Sequence, residues 1–189
     1  MNQTSVHEGQ RHSFYRSLLR DEGPRYEGFD LDSSRVALDL ALTYDALHQI
    51  QNRYMADFGL SKSTYNVLML LRSGPEQGMQ LHDLGEMLVV SRANITGLID
   101  SLEERGWVRR VVDESDRRVR HARITPAGEK LLDDFAPVHF GNLCVLTQGL
   151  SSEEKDSLAK LLGKMRRSLV AHTDQCFRQS VALGKRSKE

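Results

Sequence analysis

Residues 91–125, SRANITGLIDSLEERGWVRRVVDESDRRVRHARIT, constrain the fold of this chain more than any other stretch. Ser91 can cap a helix. Ile95, Leu98, Ile99 and Leu102 then follow at the i, i+3, i+4, i+7 spacing of a helix with one buried face. That helix is predicted to run to Gly106. Strands are predicted near Trp107–Val112 and Val119–Ile124, joined by a polar turn loaded with arginine. A helix followed by a basic β-hairpin is the pattern of a winged helix-turn-helix, which lays a helix in the DNA major groove and a charged ribbon beside it.

The flanking sequence fits that reading. A long helix is predicted over about Ser33–Phe58, with Val36, Leu40, Leu47, Ile50 and Tyr54 as its apolar stripe and Gly59 as its stop. Ser61 should cap a second helix, which Gly74-Pro75 ends. A short helix over about Leu81–Leu88 and the tight turn Val89-Val90-Ser91 lead into the helix at 91. After the hairpin, Thr125-Pro126 suits a helix start, because proline's missing N–H has no partner in a first turn. Ser151 with Glu154 forms a capping box for the last helix. Residues 1–32 read as a polar, irregular extension with one short helical possibility at Phe14–Arg20, broken at Asp21-Glu22-Gly23-Pro24. The charged tail from Gly184 is expected to fray.

The chain has 189 residues and an ordinary apolar fraction of 39%, enough for one good core, or one core plus an appendage. No run of about 18 apolar residues offers a membrane span, and residues 1–14 lack the apolar core of a signal peptide. A cytoplasmic location is therefore expected. Cys144 and Cys176 lack metal-ligand spacing and are expected to be buried thiols. Seven scattered histidines without an i, i+4 pair give no metal site, and no cofactor is expected. With no phosphate loop and no nucleophile motif, an enzyme is not expected.

Formal net charge is zero, but distribution matters more than the sum. From Arg105 to Arg123 there are seven arginines (105, 109, 110, 117, 118, 120, 123) against Asp113, Glu114 and Asp116, so seven minus three leaves this segment at +4. The plainer alternative is a solvated charged hairpin. The helix at 91 is itself asymmetric. Its first turns carry Ser91, Arg92, Asn94, Thr96 and Gly97, and its last turns carry Asp100, Glu103 and Glu104. Phosphates repel acids and favour the positive end of the helix dipole, so the N-terminal half should enter the groove. Arg92 and Asn94 are the expected base or phosphate contacts, since arginine pairs well with guanine and asparagine with adenine. On the wing, Arg118 is expected in the minor groove with Asp116 as its buttress, while Arg117 and Arg120 meet phosphates.

These features together resemble the MarR family of winged-helix regulators. The matching residues are Gly59-Leu60-Ser61, Tyr65-Asn66-Val67-Leu68, Leu81–Leu88, Ser91–Gly106, Trp107-Val108-Arg109-Arg110, Asp116-Arg117-Arg118 and Ile124-Thr125-Pro126-Ala127-Gly128, within a likeness spanning about residues 33–170. The resemblance implies a mainly α fold with a small β wing. The organisation would be an N-terminal extension (1–32), a dimerisation helix (33–58), a DNA-reading lobe (59–125), C-terminal dimerisation helices (126–178) and a tail (179–189). It implies a homodimer on a pseudo-palindromic operator, and repression relieved by a small aromatic or phenolic ligand. Long apolar stripes outside the DNA-reading unit support dimerisation independently.

The family's sensing branches can be set against this chain. Peroxide sensors keep a cysteine in the first long helix, which has none here. The urate-responsive branch uses an Asp and an Arg where this chain has Asn66 and Leu98. Tyr44, His48, Tyr65 and Trp107 combine aromatic surface with hydrogen-bond donors near the expected lobe junction, and are the candidate ligand contacts; as plain core or interface residues they would need no ligand. Two alternatives stand beside the leading reading. One is a winged-helix protein-interaction module without DNA binding, suggested by the neutral net charge. The other is a thiol-based redox regulator of the same fold.

Overall fold

The computed structural model describes residues 3–112 and 120–186, with side-chain surroundings for 9–112 and 120–173. Residues 113–119, and with them Asp116, Arg117 and Arg118, lie outside the described residues, as does the side chain of Cys176. In chain order the elements are α1 (Gln3–Glu22), a 3-10 turn (Gly23–Arg25), α2 (Leu31–Ala56), α3 (Lys62–Ser73), β1 (Met79–Gln80), α4 (Leu81–Leu88) and α5 (Arg92–Glu104). Then follow β2 (Val108–Val112), β3 (Arg120–Ile124), α6 (Pro126–Leu146) and α7 (Ser152–Arg186). The chain divides into two compact units, Met1–Ala136 and Pro137–Glu189.

The first unit holds the core. Val67, Leu68 and Leu71 of α3, Leu84 of α4, and Ile95, Ile99 and Leu102 of α5 meet Val108, Ala122 and Ile124 of the sheet, with Leu132 and Phe135 of α6 closing it. The helix starts follow the chemistry of their caps. Ser61 and Thr64 exchange side chain-to-backbone bonds at 2.8 and 3.2 Å. Gly59 ends the α2 corner at φ +67°, where a residue with a Cβ is strained. α4 ends in the same left-handed region, but on a valine: Val89 has φ 54° and ψ 47°.

The hairpin gains a third strand that the sequence does not announce. β1 pairs antiparallel with β3, Met79 opposite Ala122 and Gln80 opposite His121, giving the order β1–β3–β2. The wing root is locked to α6. The Thr125 hydroxyl donates to the Gly106 carbonyl (2.7 Å) and caps Gly128 N–H (3.2 Å). Gly128 sits so close that a Cβ there would lie 2.3 Å from the Trp107 carbonyl oxygen.

Three expectations are corrected. The N-terminal extension is a 20-residue helix rather than a short one at Phe14–Arg20. Polar cross-links hold it to α2 in place of an apolar stripe: Arg11–Asp45 (2.9 Å), His12–Asp39 (2.9 Å) and Arg16–Asp39 (3.0 Å). His12 and then Arg16, bonded to its carboxylate, hold Asp39 below its ordinary pKa. α7 continues to Arg186, three residues into the tail that begins at Gly184. Cys144, expected to be buried, is exposed. The covered stripe of α6 runs through Leu132, Phe135 and His139 and partly through Asn142, Leu143 and Leu146, and Cys144 falls off it.

Candidate nucleic-acid interface

The start of α5 is built to present polar groups outward. Ser91, in extended geometry, caps the helix by accepting from Asn94 N–H at 3.3 Å. The earliest N–H groups of a helix have no carbonyl within it, so the positive pole of α5 opens at Arg92. Ile95, Ile99 and Leu102 are buried, which turns Arg92, Ala93, Asn94, Thr96 and Gly97 to the surface. The Thr96 hydroxyl donates to the Arg92 carbonyl at 2.9 Å, leaving its methyl and its oxygen lone pairs for a partner. Arg92 makes no ion pair among the described residues.

The acidic second half of α5 is restrained by one arginine. From β2, the Arg110 backbone N–H donates to Glu103 at 2.8 Å, and its guanidinium bonds both Glu103 and, at 2.5 Å, Asp100. Those contacts hold Glu103 below its ordinary pKa, the backbone bond foremost, against the opposing effect of burial. The cluster therefore carries −1 where Asp100 and Glu103 alone would carry −2.

The arginine-rich segment sorts into roles that a charge count does not reveal. Arg105 donates to the Gly59 carbonyl at 2.5 Å and lies over the Trp107 ring at 5.1 Å, fastening the end of α5 to the α2–α3 corner. Arg110 is occupied as described. Arg109 and Arg123 stand opposite one another on neighbouring strands and line a concavity of about 600 Å³ with Arg72 and Glu129. Arg120 is exposed at the start of β3 and shares a larger concavity, about 1170 Å³, with Val89, Arg92, Thr96 and Asp100. Three of the residues expected to meet DNA, Arg92, Thr96 and Arg120, thus line one concave surface between α5 and the sheet. Ser91 and Asn94 sit at its edge in sequence. Asp116, Arg117 and Arg118 lie outside the described residues.

The candidate ligand residues do not gather into one site. Tyr44 and His48 stack with ring centroids 5.5 Å apart, and the Lys62 ammonium lies 5.7 Å from the centroid of the Tyr44 ring. Tyr65 instead packs edge-on against Phe135 at 5.2 Å, where burial raises its pKa. Trp107 is covered by Arg105. None of the four lines either concavity. Sequence reasoning passed over Val89, a residue 91% exposed on the same concave surface as Arg92. A β-branched residue where a helix end prefers glycine was the available signal.

Comparison with known proteins covers most of the chain. The model of the MarR family matches residues 60–119. The HTH-type transcriptional repressor YetL of Bacillus subtilis is 29% identical over 82% of this chain and 93% of its own length. The HTH-type regulator YkoM of the same organism is 31% identical over 66% of this chain and 79% of its own length. Among solved structures, Sco3205 of Streptomyces coelicolor, a MarR family transcriptional regulator in complex with DNA, superposes with a TM-score of 0.69 at 22% identity, covering 76% of this chain and 91% of that one. At that identity the likeness concerns the fold.

Proposed function

The chain belongs to the MarR family of transcriptional regulators, and from that premise we propose that it binds operator DNA as a homodimer and represses transcription until a small aromatic or phenolic ligand releases it. One observation carries the DNA reading: the exposed start of α5 presents Arg92, Asn94 and Thr96 with its acids held back by Arg110, beside an exposed Arg120. In a helix-turn-helix the start of the second helix meets the bases, and flanking arginines neutralise phosphates. Ser91, holding the cap, sets the angle at which that start is offered. Asp116, Arg117 and Arg118 extend the reading onto the wing, with Arg118 in the minor groove. It is a regulator working in the cytoplasm, not an enzyme.

Dimerisation is supported by apolar side chains left uncovered in the single chain. Val36, Leu40, Tyr44 and Ile50 of α2 are exposed, and in the second unit so are Leu158, Leu161, Leu162 and Leu169 of α7. A lone soluble subunit rarely leaves so many large apolar groups in water. A two-fold dimer would read half-sites about 10 base pairs apart. For the effector, the stacking of Tyr44 on His48 supports these two of the expected contacts, with Lys62 beside them. Together they offer an aromatic face and a cation to a phenolic acid.

The test is a titration of duplex DNA from the flanks of the chain's own gene at several salt concentrations. Affinity should fall steeply as salt rises, because each arginine on a phosphate displaces condensed counterions. Arg120→Ala should flatten that slope, and Arg92→Ala should change which duplex is preferred. A protein that ignores every duplex in dilute buffer would end this reading, and would favour the interaction-module alternative.

A further inference from the structure

We propose that Val89 is a specificity-determining contact, packing its methyl groups against the C5-methyl of a thymine in each operator half-site. The inference rests on the DNA-binding reading above. It begins with a residue that the fold does not want. Val89 ends α4 in the left-handed conformation, its N–H bonded to the Glu86 carbonyl at 3.1 Å while Val90 N–H reaches Gly85 at 2.9 Å. Glycine or asparagine fills such a position without strain, whereas a β-branched side chain at positive φ is an outlier. Val89 is the one non-glycine residue at positive φ among those described.

Among the described residues, Val89 has little packing to offset that strain. Val89 is 91% exposed, the highest value among the large apolar residues described. Its neighbour Val90 does the packing for this turn, lying against the core beside Leu88. The valine is thus unfavourable twice over, in backbone geometry and in apolar exposure. Such residues persist where function uses them.

Its placement says which function. Val89 lies two residues before the Ser91 cap and lines the same concavity as Arg92, Thr96 and Arg120. A side chain there faces whatever the start of α5 faces, which in a helix-turn-helix is the major groove. Valine can neither donate nor accept a hydrogen bond. The thymine methyl is the apolar feature of the major-groove edge that it can read.

The test uses full-length protein and a duplex pool with a randomised centre. The wild type and Val89→Asn, which suits the left-handed turn, each select from the pool. Thymines in the wild-type site are then replaced singly by deoxyuridine, which lacks the methyl. One methyl contact is equivalent to about fourfold in affinity, hence roughly fifteenfold for two half-sites. Val89→Asn should melt at a higher temperature and bind the selected site more weakly by that factor. Wild type should lose about fourfold on the duplex that lacks the contacted methyl in one half-site, Val89→Asn should not distinguish that duplex from the parent, and Val89→Ile should restore the distinction. Equal affinity of wild type and Val89→Asn, or indifference of wild type to every thymine methyl, overturns the proposal. Retention of no duplex by either protein overturns instead the DNA-binding reading beneath it.

Discussion

Replacing Arg110 with methionine keeps the aliphatic stem and removes the charge that restrains the acids of α5. The guanidinium is one-fifth exposed, and it bonds Glu103, whose side chain is 38% exposed, and Asp100, at 54%. A charge-assisted hydrogen bond to a half-buried partner contributes about 1.5–3 kcal/mol. The Asp100 arm, mostly in water, adds about 0.5 kcal/mol. Since the freed carboxylates regain water, the net loss should be about 2 kcal/mol, short of the sum. Urea unfolding at fixed protein concentration measures it. The loss should also depend on pH in a definite sense. Glu103 is held below its ordinary value of 4.5 in the folded chain by the Arg110 backbone N–H, which the substitution keeps, and by the guanidinium, which it removes; the guanidinium's share is full above that value and fades as pH falls through the lowered one. The gap between wild type and Arg110→Met should therefore narrow in acid. A gap under about 0.5 kcal/mol near neutral pH, or one that stays constant into acid, would refute the account. Operator affinity should fall as well, because the α5 cluster returns from −1 to −2.

Two glycines should respond to the same substitution with opposite signs. Gly97 lies mid-helix on the exposed side of α5, and a Cβ there meets nothing within 4 Å. Gly97→Ala should stabilise the fold by about 1 kcal/mol, read as a rise in melting temperature. Gly128→Ala drives its Cβ to 2.3 Å from the Trp107 carbonyl and should destabilise by about 1–3 kcal/mol, read from the urea midpoint.

Elements with a local signature were legible in the sequence. α4 spans the expected Leu81–Leu88, and the caps at Ser61, Ser91 and Ser151 are all bonded as helix starts require. These depend on neighbours a few residues apart, which periodicity and cap chemistry report. What escaped depends on partners distant in sequence. β1 is two residues long and exists through its pairing with β3, more than 40 positions away. α1 shows no apolar stripe, because ion pairs to Asp39 and Asp45 hold it to α2. A charge count gathers Arg105 and Arg110 into the basic segment, and the folded chain spends both on its own carbonyl and carboxylate groups. Cys144 was misjudged for a related reason, since an average tendency of thiols to be buried carries no information about helix phase.

The division along α5 has an evolutionary consequence. Arg92, Asn94 and Thr96 face solvent, while Ile95, Ile99 and Leu102 hold the helix in place. Altering the first set should redirect the protein to other genomic addresses at little cost to folding, and drift in the second should erode the scaffold without changing its target. Preference for an address and persistence of the scaffold are thus inherited on interleaved but separable positions, so a duplicated copy could acquire new targets by exchanging very few surface residues.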